Sequence, residues 1–206
     1  TLKHIKNALQ LDLFAKDSGG RLTQELKHIM EEENVLASLE RMQELKLLTA
    51  IHPGLALDDE KVRVIMELHK VHNWYALLYL EPKAQPFRLY LLGLTVGSDR
   101  DQFMQVCARL RFTERDQADL LVLRDHIAEA LALLMKWNDG QSPLSELYFA
   151  LDPLPVEGVL FLMARSRREG LRRSISQYLN RLRSNELLMG GDDLKQLGLS
   201  HGPAFA

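Results

Sequence analysis

The stretch DDEKVRVIMELHKVHNWYALLYL, Asp58 to Leu80, decides the fold class. Val64, Leu68, Val71, Tyr75 and Leu78 step through it by four, three, four and three residues, the interval at which side chains return to one face of an α-helix. The pattern recurs in Thr113 to Trp137, where Leu120, Leu123, Ile127, Leu131 and Leu134 form a stripe behind Thr113 and Asp116, a capping pair. Start signals announce shorter helices: Asn34 before VLASLERMQEL, Ser98 before DRDQFMQVCARL with Ser98 as its cap, Ser142-Pro143 before LSELYFAL and Pro155 before VEGVLFLMARS. His52-Pro53-Gly54, Asp139-Gly140 and Asp152-Pro153 supply turn chemistry between them. Arg88 to Val96 is the one strand-like run, and its Leu-rich composition favours a buried helix. The reading is all-α: an irregular multi-helix bundle with an elongated body, a small tail and no significant sheet. Proline and glycine gather near Trp137 to Pro143, so a helical body over 1–140 and a tail over 141–206 are expected.

With 46% of its 206 residues apolar and 26% charged, the chain can bury a substantial core. A net charge of −2 excludes a uniformly basic nucleic-acid binder, so charge arguments rest on local clusters. The single cysteine, Cys107, excludes an internal disulfide, and Phe103, Val106 and Leu110 around it at helical spacing mark it as a buried small hydrophobe. No apolar stretch approaches membrane-spanning length, and a cytoplasmic location is expected.

Several motifs imitate chemistry. Gly97-Ser98-Asp99-Arg100-Asp101 contains the ingredients of a nucleotidyl-transfer metal site, but carboxylates two apart share a face only on a strand, and here they open a helix. Ser18-Gly19-Gly20-Arg21 lacks the Lys-Ser/Thr ending of a phosphate loop. His69 and His72 have metal-ligand spacing without a third partner, and a packed or solvated pair is expected. Trp74, Tyr75 and Tyr79 read as core and boundary packing. No catalytic residue and no metal site are assigned.

The informative cluster is Ala164 to Ser184, ARSRREGLRRSISQYLNRLRS, with seven arginines, no lysine and the single acid Glu169. On a helical wheel Leu171, Ile175, Tyr178, Leu179 and Leu182 form the buried stripe, Arg173 and Arg181 point away from it, and Arg172 and Arg183 line one border. A guanidinium fork engages phosphate oxygens two at a time and stays charged at physiological pH. The alternative is a solvated face, or a helical protein-interaction module whose arginine edge meets an acidic partner.

Beyond the arginines, Gly191 to Phe205 reads GDDLKQLGLSHGPAF, and near the front stand Ser18-Gly19-Gly20-Arg21-Leu22, Glu25-Leu26, Leu45, Leu47-Leu48 and His52-Pro53-Gly54. These resemble the patterns GxDLxxLGLxxGPxF and GGRLxxEL…LxxLGLLxxLHPG of bacterial class II tRNA nucleotidyltransferases, the CCA-adding, A-adding and poly(A) polymerase-like enzymes. The resemblance implies a helical body and tail that hold tRNA by its backbone for 3′-end nucleotide addition by a catalytic head. That head would lie before Thr1, so this chain alone is expected to be inactive. Magnesium and ATP or CTP are implied for the head, none for this segment. Thr1 to Phe14 has no start signal and Gly202-Pro203 opens a helix with few residues left, so the chain is expected to stop inside the tail. The expected RNA-binding residues are Arg165, Arg168, Arg172, Arg173, Arg181, Arg183, His201 and Gly202.

Overall fold

A computed structural model describes residues 19–138 and 141–183. Ten α-helices and no strand occur among the described residues. In chain order they are α1 Gly19–Met30, α2 Val35–Glu44, α3 Leu47–Ile51, α4 Asp59–Ala76, α5 Pro86–Leu94, α6 Arg100–Arg109, α7 Glu114–Lys136, α8 Leu144–Leu151, α9 Val156–Arg165 and α10 Glu169–Gln177. A 3₁₀ turn, Pro53–Leu55, follows α3, and one turn of π-helix, Tyr178–Leu182, continues α10.

Four of the helices begin where a side chain satisfies their orphan N–H groups. Asn34, Asp58 and Thr113 accept from the backbone of Ala37, Lys61 and Asp116 at 3.4, 2.8 and 3.1 Å. The cap of α6 is Asp99, not Ser98: Asp99 accepts from Gln102 N–H at 2.8 Å while Gln102 Oε1 accepts from Asp99 N–H at 3.3 Å, a reciprocal box. A carboxylate three residues before a glutamine outcompetes the hydroxyl one place earlier. Ser98 is used differently. Arg124 on α7 donates to its carbonyl at 2.7 Å and its hydroxyl at 3.1 Å, with the guanidinium 4.3 Å from the centre of the Phe103 ring. Cys107 is fully buried beside this contact, and burial pushes its thiol up to about 11.

His52-Pro53-Gly54 is structural in its described contacts. His52 Nδ1 accepts from Gly54 N–H at 3.0 Å, and the buried ammonium of Lys61 donates to the carbonyls of Gly54 and Ala56 at 2.7 and 2.9 Å. Burial lowers the Lys61 pKa, with Asp58 opposing.

The centre of the molecule is α9. Every residue from Val156 to Ala164 is buried, Glu157 included, whose carboxylate accepts from Gln85 N–H at 2.7 Å. A helix apolar on all sides must be surrounded, and α4, α5, α7 and α10 pack around it. One hydrophobic core runs from Leu22 to Leu179 across both sides of residue 140. α5, which holds the strand-like run, is buried from Leu89 to Leu94 and lies on both α4 and α9. Of the aromatic trio on α4 and beyond, Tyr75 is buried with its hydroxyl donating to Pro82 O at 3.0 Å, whereas Tyr79, expected in the packing, is 89% exposed. The chain leaves α4 at Leu77, and Tyr79 adopts φ 53°, which turns it to solvent.

Close approach of α5 and α4 depends on Gly93. A Cβ there would lie 2.8 Å from Leu68 Cδ1 and 3.2 Å from Ile65 Cγ1, both fully buried side chains. Gly93→Val is therefore expected to destabilise the fold by about 1–3 kcal/mol through overpacking. Thermal unfolding should show a fall in Tm of roughly 2–12 °C.

Candidate nucleic-acid interface

α4 and α10 both pack on α9 and border an open groove of about 1090 Å³ with Met163 of α9 on its wall. From α4 come Glu67, Lys70, Val71 and Trp74, at the spacing that puts residues on one helical face. From α10 and its π extension come Arg172, Arg173, Gln177, Asn180 and Arg181, among others. Four cations thus face two acids, Glu67 and Glu169.

Both acids are engaged. Glu67 accepts from Lys70 at 2.7 Å and from Arg172 at 2.9 Å, joining the two walls. The hydrogen bond from Lys70, reinforced by Arg172, holds the Glu67 carboxyl below its usual range against the opposing effect of burial. Glu169 lies 3.8 Å from Arg173 Nε, a loose surface pair, and the Arg173 side chain remains 76% exposed. Arg181 is exposed and makes no ion pair among the described residues.

Arg172, Arg173 and Arg181 therefore converge on the groove. Arg165 does not: its guanidinium reaches Glu60 at 3.1 Å, near the Phe161 ring. Arg168, the residue before α10, donates to the carbonyls of Leu134 at 3.1 Å and Met135 at 3.4 Å and to that of Trp137, and so ties off the C-terminal end of α7. Arg183 turns inward and donates to Leu154 O at 3.3 Å. The π turn explains that direction. Its wider loop, closed by Arg183 N–H on Tyr178 O at 2.9 Å, absorbs about one extra residue. Arg183 consequently takes the azimuth that Leu182 would hold on a continued α-helix, the buried side. His201 and Gly202 lie outside the described residues, as does the rest of the Gly191–Phe205 motif.

Lys70, Trp74, Gln177 and Asn180 line the groove without having been singled out for it. Lys70 and Trp74 sit four apart on α4, a legible face, but nothing local says that α10 lies opposite. The His69–His72 pair is packed, not metal-like: His69 Nδ1 is 3.3 Å from Tyr90 Oη, and His72 meets the Tyr90 ring edge to face at 6.3 Å. Among the described residues no group of three or more His, Cys, Asp or Glu could hold a metal ion, and no helix is long and apolar enough to cross a membrane.

No family model matches the chain. The A-adding tRNA nucleotidyltransferase of Geobacter sulfurreducens is 34% identical over 203 residues, 98% of this chain and 23% of that protein. The enzyme of the same name from Aquifex aeolicus is 26% identical over 200 residues, 97% of this chain and again 23% of the relative. The chain thus spans about a quarter of the length of these relatives. In fold it is similar to the Thermotoga maritima CCA-adding enzyme complexed with tRNA, with a TM-score of 0.76 and 20% identity over 97% of this chain and 47% of that one. In sequence and in fold the helical body corresponds to part of the tRNA nucleotidyltransferases. Within that class its sequence matches one part of the A-adding enzymes.

Two expectations follow from the groove and its surroundings. Arg168→Ala should cost about 1–3 kcal/mol by leaving helix-end carbonyls without their charged donor, whereas Arg181→Ala should leave stability within about 0.5 kcal/mol; urea unfolding of both variants measures the contrast. Burial, followed by His69, depresses the His72 pKa. Its neutral form therefore contributes stability that is present above about pH 6.5 and is lost as pH falls through the folded pKa. The Tm advantage of the wild type over His72→Gln should accordingly shrink between pH 7.5 and pH 5.

Proposed function

We propose that this chain is a tRNA-binding segment of an A- or CCA-adding enzyme, gripping the RNA backbone so that a catalytic head adds nucleotides to the 3′ end. The observation that carries this reading is the groove between α4 and α10, where Lys70, Arg172, Arg173 and Arg181 outnumber Glu67 and Glu169 and Arg181 makes no ion pair among the described residues. Forked guanidinium groups beside a groove suit phosphate oxygens, and backbone contacts carry no sequence information, as a binder of many tRNAs requires. Two further observations support it: the relatives are named A-adding tRNA nucleotidyltransferases, and a neighbour of the same fold is complexed with tRNA. Magnesium and ATP or CTP would serve the head of the whole enzyme; the described residues supply no cluster for the metal.

Filter binding of tRNA across a salt series tests the proposal. Affinity should fall steeply as salt rises, because phosphate contacts release condensed counterions. Replacing Arg173 and Arg181 by Gln should lower the slope of log K against log salt by up to about two while far-ultraviolet circular dichroism stays unchanged. Binding that is indifferent to salt and to both substitutions would sink the assignment. So would displacement of tRNA by polyglutamate at matched charge, the behaviour of an acidic protein partner.

A further inference from the structure

Trp74 does not behave like the aromatic residues beside it. Tyr75 is in the core and Tyr79 is in solvent, but Trp74 lies half-buried on the wall of the arginine groove. Its indole N–H makes no hydrogen bond among the described residues, and no ring of the described residues stacks on it. Lys70 stands one turn before it, and Gln177 and Asn180, three residues apart, line the same groove from the other helix. Asn180 Nδ2 is tied to Ser176 O at 2.8 Å, which fixes the amide plane and leaves Oδ1 as an acceptor; the Gln177 amide has no partner among the described residues.

A half-buried indole that packs partly on the core and partly lines the groove, two amides and flanking cations are the parts of a nucleotide-sized subsite. A base stacks on the ring, amides meet its edge, and guanidinium groups meet the phosphates on either side. Base pairs in the interior of a duplex cannot use such a site, since their faces are covered by their neighbours. We propose that Trp74 stacks an unpaired nucleobase of a folded RNA held in this groove, so that the segment recognises a looped or splayed-out nucleotide in addition to backbone charge. The inference rests on the RNA-binding reading above. Stacking is tolerant of base identity because every base has a π face, so the site adds affinity for RNA shape without restricting sequence.

The chain contains two tryptophans, and Trp137 is only 5% exposed, so quenching of tryptophan emission by a bound base reports mainly on Trp74. Titrations of the 206-residue chain with tRNA and with a blunt RNA duplex of equal phosphate number are compared. Quenching by tRNA and little by the duplex is expected. Trp74→Leu should weaken tRNA binding about five- to hundredfold with an unchanged salt slope and leave duplex binding as it was. Trp74→Phe, which keeps a ring, should retain most of the affinity and guards against a folding defect in the leucine variant. Equal quenching by the two RNAs, equal loss of both in Trp74→Leu, or tRNA binding untouched by that variant each overturns the inference while the groove reading stands. If neither RNA binds at low salt, or polyglutamate quenches and competes as well as tRNA does, the groove reading itself falls.

Discussion

Everything in this structure depends on α9 being apolar on all sides. From Val156 to Ala164 it offers no face to water, so four helices must surround it, and the apolar area removed from solvent there drives the assembly at about 25 cal/mol per Å². Glu157 is the exception within it, and its bond to Gln85 N–H anchors the start of α5. Because α4 and α10 each lay a stripe on this helix, their outer faces are left a fixed distance apart. The groove is the space between two helices that pack on a third.

The arginine segment follows α9 directly and divides its charges between two tasks. Arg168 and Arg183 turn to main-chain carbonyls and hold the segment against the ends of other elements. Arg173 and Arg181 stay exposed, and Arg172 bridges to α4. Arginine suits both tasks, since its planar fork can span neighbouring carbonyls and can meet a phosphate bidentately. The same residue type therefore serves packing and an exposed cationic edge in one 21-residue stretch, Ala164 to Ser184.

Helix identity was legible from periodicity and caps, because α4, α7 and α10 each carry an uninterrupted apolar stripe. Cys107 was legible as core for the same reason. What local reading could not supply was competition and opposition. Asp99 displaces Ser98 as the cap because its box with Gln102 satisfies two donors. Arg183 leaves its expected border because the helix widens into a π turn, which nothing in QYLNRL announces. Lys70 and Trp74 acquire meaning only when α10 is known to face them, a tertiary fact. Of the expected RNA-binding residues, Arg172, Arg173 and Arg181 share the groove, while the GDDLKQLGLSHGPAF motif lies outside the described residues.

The carboxylate of Glu67, fastened to both Lys70 and Arg172, gives the groove unequal halves. Near it Arg172, less exposed and bonded across to α4, gave up rotamer freedom during folding, so an incoming polyanion meets it prearranged. Arg173 and Arg181 keep that freedom and must give it up on contact, at a cost of about 0.5–1.5 kcal/mol for each side chain immobilised. The stiff half can set register, and the pliant half can conform to backbones that differ from one nucleic acid to the next.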